Sequence, residues 1–120
     1  MSAFEMEVQE CDGFPVVIVK GYFNAEAGEK IMPVIDGLLQ QGKRGIIIDI
    51  TPCKVVNSQG ISSLIDLVIK VQEDFRGKLV LAGLDQLKKN VFTTAGLLPL
   101  AHSVESPTVG AGWLKEQKLA

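Results

Sequence analysis

The chain has 120 residues, near the usual size of one domain, and its apolar fraction of 47% is enough for a core and too high for disorder. With 12 basic and 14 acidic residues the net charge is -2, which argues against a nucleic-acid module and its basic face. No apolar run approaches the ~20 residues of a membrane span, and the acidic start Met1-Ser2-Ala3-Phe4-Glu5-Met6-Glu7 has no signal-peptide pattern, so a cytoplasmic chain without direct membrane insertion is expected.

Phe4, Met6 and Val8 alternate with Glu5, Glu7 and Gln9, the period of a half-buried strand. Asp12-Gly13 signals a turn. Residues 15–23 are β-branched and almost continuously apolar, so residues 4–21 are read as a hairpin with a buried second strand. Ala27, Ile31, Val34, Ile35 and Leu38 recur at helical spacing over residues 25–41, with Gly42 as the stop. Pro33 conflicts with a helix interior, because it removes a hydrogen bond and clashes with the carbonyl four residues back, at about 3 kcal/mol. Either the regular helix begins near Met32, with Pro33 in its first turn, or the helix is kinked there; the favoured expectation is a short irregular segment at 25–30 leading into the main helix.

Residues 45–50 form a second buried strand. Over residues 61–75, Ile61, Leu64, Ile65, Val68, Ile69 and Phe75 share one helical face, and Gly77 ends the helix. A short strand at 78–82, a short helix at 85–94 with the basic pair Lys88-Lys89, an edge strand within 97–102 and a C-terminal helix at 107–118 complete the chain. No linker, repeat or low-complexity segment divides it, so residues 1–120 are read as one domain. The order is β-β-α-β-α-β-α-β-α. It predicts an α/β fold with a mixed sheet, opened by an antiparallel hairpin, and about four helices packed mostly on one face.

The sequence supplies no catalytic set. Cys11 and Cys53 lie far apart, with no CxxC partner and no nearby histidine, so they read as ordinary buried or half-buried thiols and not as zinc ligands. A nucleophilic Ser58 needs a base, and the only histidine is His102. The Gly-x-Ser-x-Gly elbow is absent, since position 56 is Val. The segment from Asn57 to Leu64 has one glycine and no lysine, which is not a phosphate-binding loop. Thr93, Thr94 and His102 offer polar groups to a small-molecule site, but capping and surface exposure explain them more simply. No metal, no cofactor and no enzymatic activity are expected.

The most informative segment is Asn57-Ser58-Gln59-Gly60, between the strand at 45–50 and the helix at 61–75. Asn57 or Ser58 is suited to cap that helix, worth about 1 kcal/mol over alanine. The same geometry suits a regulatory phosphate. A phosphoserine adds roughly -1.5 to -2 charges, and a helix N-terminus offers free N–H donors and the positive end of the macrodipole. Phosphorylation there leaves the fold intact and places a hydrated dianion where a partner must cover it.

With these residues the chain resembles a STAS domain, the family of bacterial anti-sigma-factor antagonists. The resemblance rests on Asp49 through Ile61, with Asn57-Ser58-Gln59-Gly60 against the family's Asp-Ser-x-Gly. Val91-Phe92-Thr93-Thr94-Ala95-Gly96-Leu97 and Gly21-Tyr22-Phe23-Asn24 also match family patterns. The resemblance implies that Ser58 is phosphorylated by a partner that is both serine kinase and anti-sigma factor, or by a related switch kinase. It also implies that the unphosphorylated form captures that kinase. Asn24, Asn57, Ser58, Gln59 and Gly60 are then the partner-binding residues, with Gly60 allowing close approach of the partner and Asn24 lying beside Ser58. Asn24 and Asn57 stand where many family members have Asp, so the shape is kept and the charge is lost. The alternative those two residues favour is a scaffold STAS domain without phosphoregulation, in a multi-protein sensory complex or a lipid or anion transport system.

Overall fold

The opening hairpin turns on Asp12 and Gly13, both at positive φ, 52° and 89°. Two such residues give the turn whose twist matches that of paired strands. They join β1 (Phe4–Cys11) to β2 (Phe14–Phe23), with Cys11 opposite Phe14. The computed structural model describes residues 3–117. After the hairpin come α1 (Ala25–Gln40), β3 (Gly45–Asp49), β4 (Cys53–Val56) and α2 (Ser58–Ile69). A π-helical turn (Lys70–Asp74) continues α2, followed by β5 (Lys78–Ala82), α3 (Gln86–Thr94), β6 (His102–Val104) and α4 (Pro107–Glu116). The sheet runs β1-β2-β3-β5-β6, antiparallel between β1 and β2 and parallel thereafter. β4 pairs in parallel with the far end of β2.

Strand periodicity divides the core. Val17, Val19, Ile46, Ile48, Leu79 and Leu81 face one way and pack with the apolar stripes of α1 and α2 and with Phe92 of α3. The alternate residues Val16, Ile47, Val80 and Ala82 face the other way and pack with Ala111 and Leu114 of α4. The helices therefore occupy both faces, three against one, and so lie mostly on one face as expected. A continuous β-branched run such as Ile46-Ile47-Ile48 is what a strand covered on both sides requires.

The irregular segment expected at 25–30 is not present. α1 is helical from Ala25 through Pro33 to Gln40. Asn24 caps it, its side-chain oxygen accepting from the Ala27 N–H at 3.0 Å. Ala27, Gly28 and Ile31 are fully buried in the first two turns, while Pro33 is on the exposed face. Tertiary burial of that stripe outweighs the local penalty of the proline. Pro33→Ala is expected to raise stability by about 1–3 kcal/mol, since it restores the bond to the Glu29 carbonyl without touching the core. A urea midpoint that fell instead would contradict this account.

Other boundaries moved as well. β4 was not anticipated: three of its four residues, Lys54, Val55 and Val56, are exposed or half-buried, and four residues give no periodicity. The last strand lies at His102–Val104, later than the expected 97–102. α2 begins at Ser58, three residues before Ile61. Past Ile69 the helix widens, with the Phe75 N–H bonding the Lys70 carbonyl at 3.2 Å. The chain leaves that turn through Arg76 at φ 56°, not through Gly77. α4 ends at Glu116, and position 118 of the expected helix lies outside the described residues. Gly110 in α4 lets the helix sit against Val80 and Val104.

Candidate functional site

The site lies at the ends of two paired strands. Phe23 of β2 and Val56 of β4 are register partners, and the residues after them are Asn24 and Asn57. Each asparagine caps the helix it introduces. Asn24 caps α1, and the Asn57 side-chain oxygen accepts from the Gly60 N–H at 2.9 Å. The Asn57 N–H donates to the Phe23 carbonyl at 3.1 Å, which ties the start of α2 to the end of β2. Of the two residues suited to cap α2, Asn57 is the one used. Asn57→Ala is expected to lower stability by about 1 kcal/mol, read as a fall in melting temperature of about 3–5 °C.

Ser58 is therefore the first residue of α2 with its hydroxyl not engaged in capping, and it is exposed. Gln59 beside it is also exposed. The backbone N–H groups of Ser58 and Gln59 have no carbonyl four residues back within the helix. No acidic residue occupies the first turn of α2, so the positive end of the dipole is uncompensated. Among nearby hydroxyls, that of Ser63 donates to the Gln59 carbonyl at 3.1 Å.

Gly60 has a role inside the fold. It is buried, and a Cβ there would fall inside the Phe23 carbonyl oxygen and against the Phe23 ring. A close approach that needs glycine is internal, between α2 and β2. Asn24, Asn57, Ser58, Gln59 and Gly60 are thus brought to one end of the sheet, with three of them exposed and Gly60 beneath the surface.

Ser58 opens onto a depression of about 400 Å³, lined also by Ile61 of α2 and by Asn90, Val91, Thr94 and Ala95 of α3. Thr94 thus joins the Ser58 surface, while the Thr93 hydroxyl donates to the Lys89 carbonyl at 2.7 Å. His102 is elsewhere. It stacks on Trp113 of α4, with ring centroids 4.0 Å apart and planes inclined by 10°. α3 is anchored by Asp85, whose carboxylate accepts from the Lys88 N–H at 2.8 Å and pairs with the Lys88 ammonium at 3.2 Å. Those bonds hold the Asp85 carboxyl below the ordinary carboxylate range. Cys11 is half-buried and Cys53 buried, both as free thiols. Burial pushes the Cys53 thiol pKa up, with the positive charge of Lys88 acting in the opposite direction.

Residues 5–109 match the family model of the STAS domain. The chain belongs to that family. As a STAS domain it is similar in structure to an anti-sigma factor antagonist from Mycobacterium paratuberculosis, at 14% identity and a TM-score of 0.80, over 93% of this chain and 94% of that one. It is similar to the anti-sigma factor antagonist SpoIIAA in its unphosphorylated form, at 18% identity and a TM-score of 0.68, over 98% and 100%. It is also similar to a sulfate transporter family protein from Wolinella succinogenes, at 14% identity and a TM-score of 0.77, over 90% and 89%. At these identities the likeness establishes the fold of this STAS domain. No curated protein matches it in sequence. No described helix is long and apolar enough to cross a membrane.

Proposed function

We propose that this STAS domain is a non-enzymatic protein-binding module of a partner-switching pathway, like an anti-sigma-factor antagonist, and that phosphorylation of Ser58 controls it. The observation that carries this reading is the division of labour at the start of α2. Asn57 does the capping, which leaves Ser58 exposed with its hydroxyl uncommitted. A phosphate there meets the Ser58 and Gln59 N–H groups and no acidic residue in that turn. The fold tolerates the modification, while a partner seated over Ser58 would have to strip water from a dianion. SpoIIAA, whose fold this chain shares, is known in phosphorylated as well as unphosphorylated form. The partner implied is a serine kinase that doubles as an anti-sigma factor, or a related switch kinase, which places the domain in the cytoplasm.

Incubation with a co-encoded serine kinase and ATP is expected to add one phosphate, located at Ser58 by tandem mass spectrometry and lost in Ser58→Ala. Modification at exposed Ser62 instead, or none with any co-encoded kinase, would remove the proposal. A second reading is favoured by Asn24 and Asn57, both neutral caps where the family pattern has carboxylates. It is a scaffold STAS domain in a sensory complex or transport system, without a phosphate switch. Light scattering after size exclusion separates the two, because a stable large assembly of the unmodified chain supports the scaffold.

A further inference from the structure

Three of the large apolar side chains left in water converge on one place. Val55 is 50% exposed, Leu87 72% and Val91 40%. Leu87 and Val91 are four residues apart and share a face of α3. With Val55 of β4 they line a cleft of about 110 Å³ whose floor includes Phe92. That volume is several times the roughly 30 Å³ of one water molecule and suits one aliphatic side chain. The cleft adjoins the Ser58 depression, since Val91 lines both. Tyr22, the register partner of Val55, is exposed beside it.

The charge around this cleft runs against that of the whole chain. Lys54 and Lys88 line it. Asp85 pairs with Lys88. Among the described residues no carboxylate pairs with Lys54, which is exposed. Two lysines against one aspartate leave an uncompensated positive charge on the rim, on a chain whose net charge is -2. No acidic side chain lines either the cleft or the Ser58 depression. The two asparagine caps add no negative charge at the strand ends.

We propose that this cleft docks a segment of a partner protein that presents an aliphatic side chain flanked by carboxylates. The inference rests on the partner-binding reading of Ser58 and adds the chemistry of the partner. An apolar centre with a charged rim is the anatomy of a specific protein contact. The arrangement also gives the phosphate a second action. A dianion at Ser58 stands beside a surface that receives carboxylates, and it repels the acidic segment as well as resisting desolvation.

The test is to pan the unphosphorylated chain against a random peptide library displayed on phage, then to measure the enriched peptides by fluorescence anisotropy. The expected consensus is Leu, Ile, Val or Met flanked by Asp or Glu. Leu87→Ser is expected to weaken those peptides at least about tenfold, as for loss of a buried anchor. Lys54→Glu should weaken them about threefold or more, and added salt should weaken the parent's binding. These positions are exposed, so the variants should melt within a few degrees of the parent. A basic consensus, or peptides indifferent to Leu87→Ser, would overturn the proposal. So would self-association of the chain, or its binding to vesicles of anionic phospholipid, that Leu87→Ser abolishes while no acidic peptide binds. If acidic peptides bind Ser58→Glu undiminished, the cleft stands and the phosphate switch falls. If a kinase modifies Ser58 while panning yields no acidic consensus, the switch stands and the cleft falls.

Discussion

Gly60→Ala is expected to destabilise the domain by about 3 kcal/mol, the upper part of the range for forcing an extra group into a packed site. For a domain of this length that is a fall in melting temperature of about 10–15 °C. The sign is the sharp part of the expectation. In an unobstructed helix the same change gains up to about 1 kcal/mol, because alanine is the better helix former. At Gly60 the new methyl group meets the Phe23 carbonyl, which is backbone and cannot rotate away. That carbonyl also accepts from the Asn57 N–H, so moving α2 outward strains the bond that seats its cap. Gly37 of α1 is the control, since nothing lies within 4 Å of a Cβ there. Gly37→Ala should stabilise. Thermal melts of the two variants side by side give opposite shifts if the contact between α2 and β2 is as tight as the geometry states, and a neutral Gly60→Ala would refute it.

Gly60 also shows where reading the sequence reached its end. The pattern Asn-Ser-x-Gly marked the strand-to-helix turn, because polar cap residues between two strongly apolar segments announce a helix start. The hairpin was equally legible, since Asp12-Gly13 with alternation before it fits one turn type. The core strands announced themselves as β-branched runs. What the sequence did not carry was tertiary. Pro33 argued locally for a late helix start, and only the burial of Ala27, Gly28 and Ile31 beneath it reverses that argument. β4 is too short and too exposed to have a period, yet it sets Asn57 beside Asn24. The role of Gly60 depends on a carbonyl 37 positions earlier in the chain, at Phe23. The apolar cleft went unread for the same reason: Val55, Leu87 and Val91 are single apolar residues in polar segments, and nothing but the fold brings them together. Isolated surface apolar residues are ordinary in any chain. Their convergence beside Ser58 is the signal.

Under the proposed switch, Ser58→Glu is expected to lower affinity for the partner kinase about a hundredfold, roughly the 3 kcal/mol of burying a charge without a partner. Stability should not fall with it. A glutamate at the first position of α2 meets the positive end of the helix dipole, worth about 0.3–1 kcal/mol in its favour. The melting temperature should therefore stay level or rise by a few degrees. That combination separates a switch from a structural residue, because a serine needed for folding would lose stability and binding together. Ser58→Ala is the complementary variant. It should bind like the parent and accept no phosphate, since Asn57 and not Ser58 makes the cap. Isothermal titration against the purified kinase, with a melt of each variant, reads all of these at once. Equal binding by Ser58→Glu and the parent would mean that the partner does not cover Ser58. A loss of binding in Ser58→Ala as large as in Ser58→Glu would mean that the hydroxyl itself is the contact. Asn57→Asp distinguishes the remaining possibility. It keeps the cap and supplies the family's missing carboxylate, so a kinase that reads acidic residues should phosphorylate Ser58 faster in that variant. A kinase adapted to this chain's neutral caps should gain nothing from it.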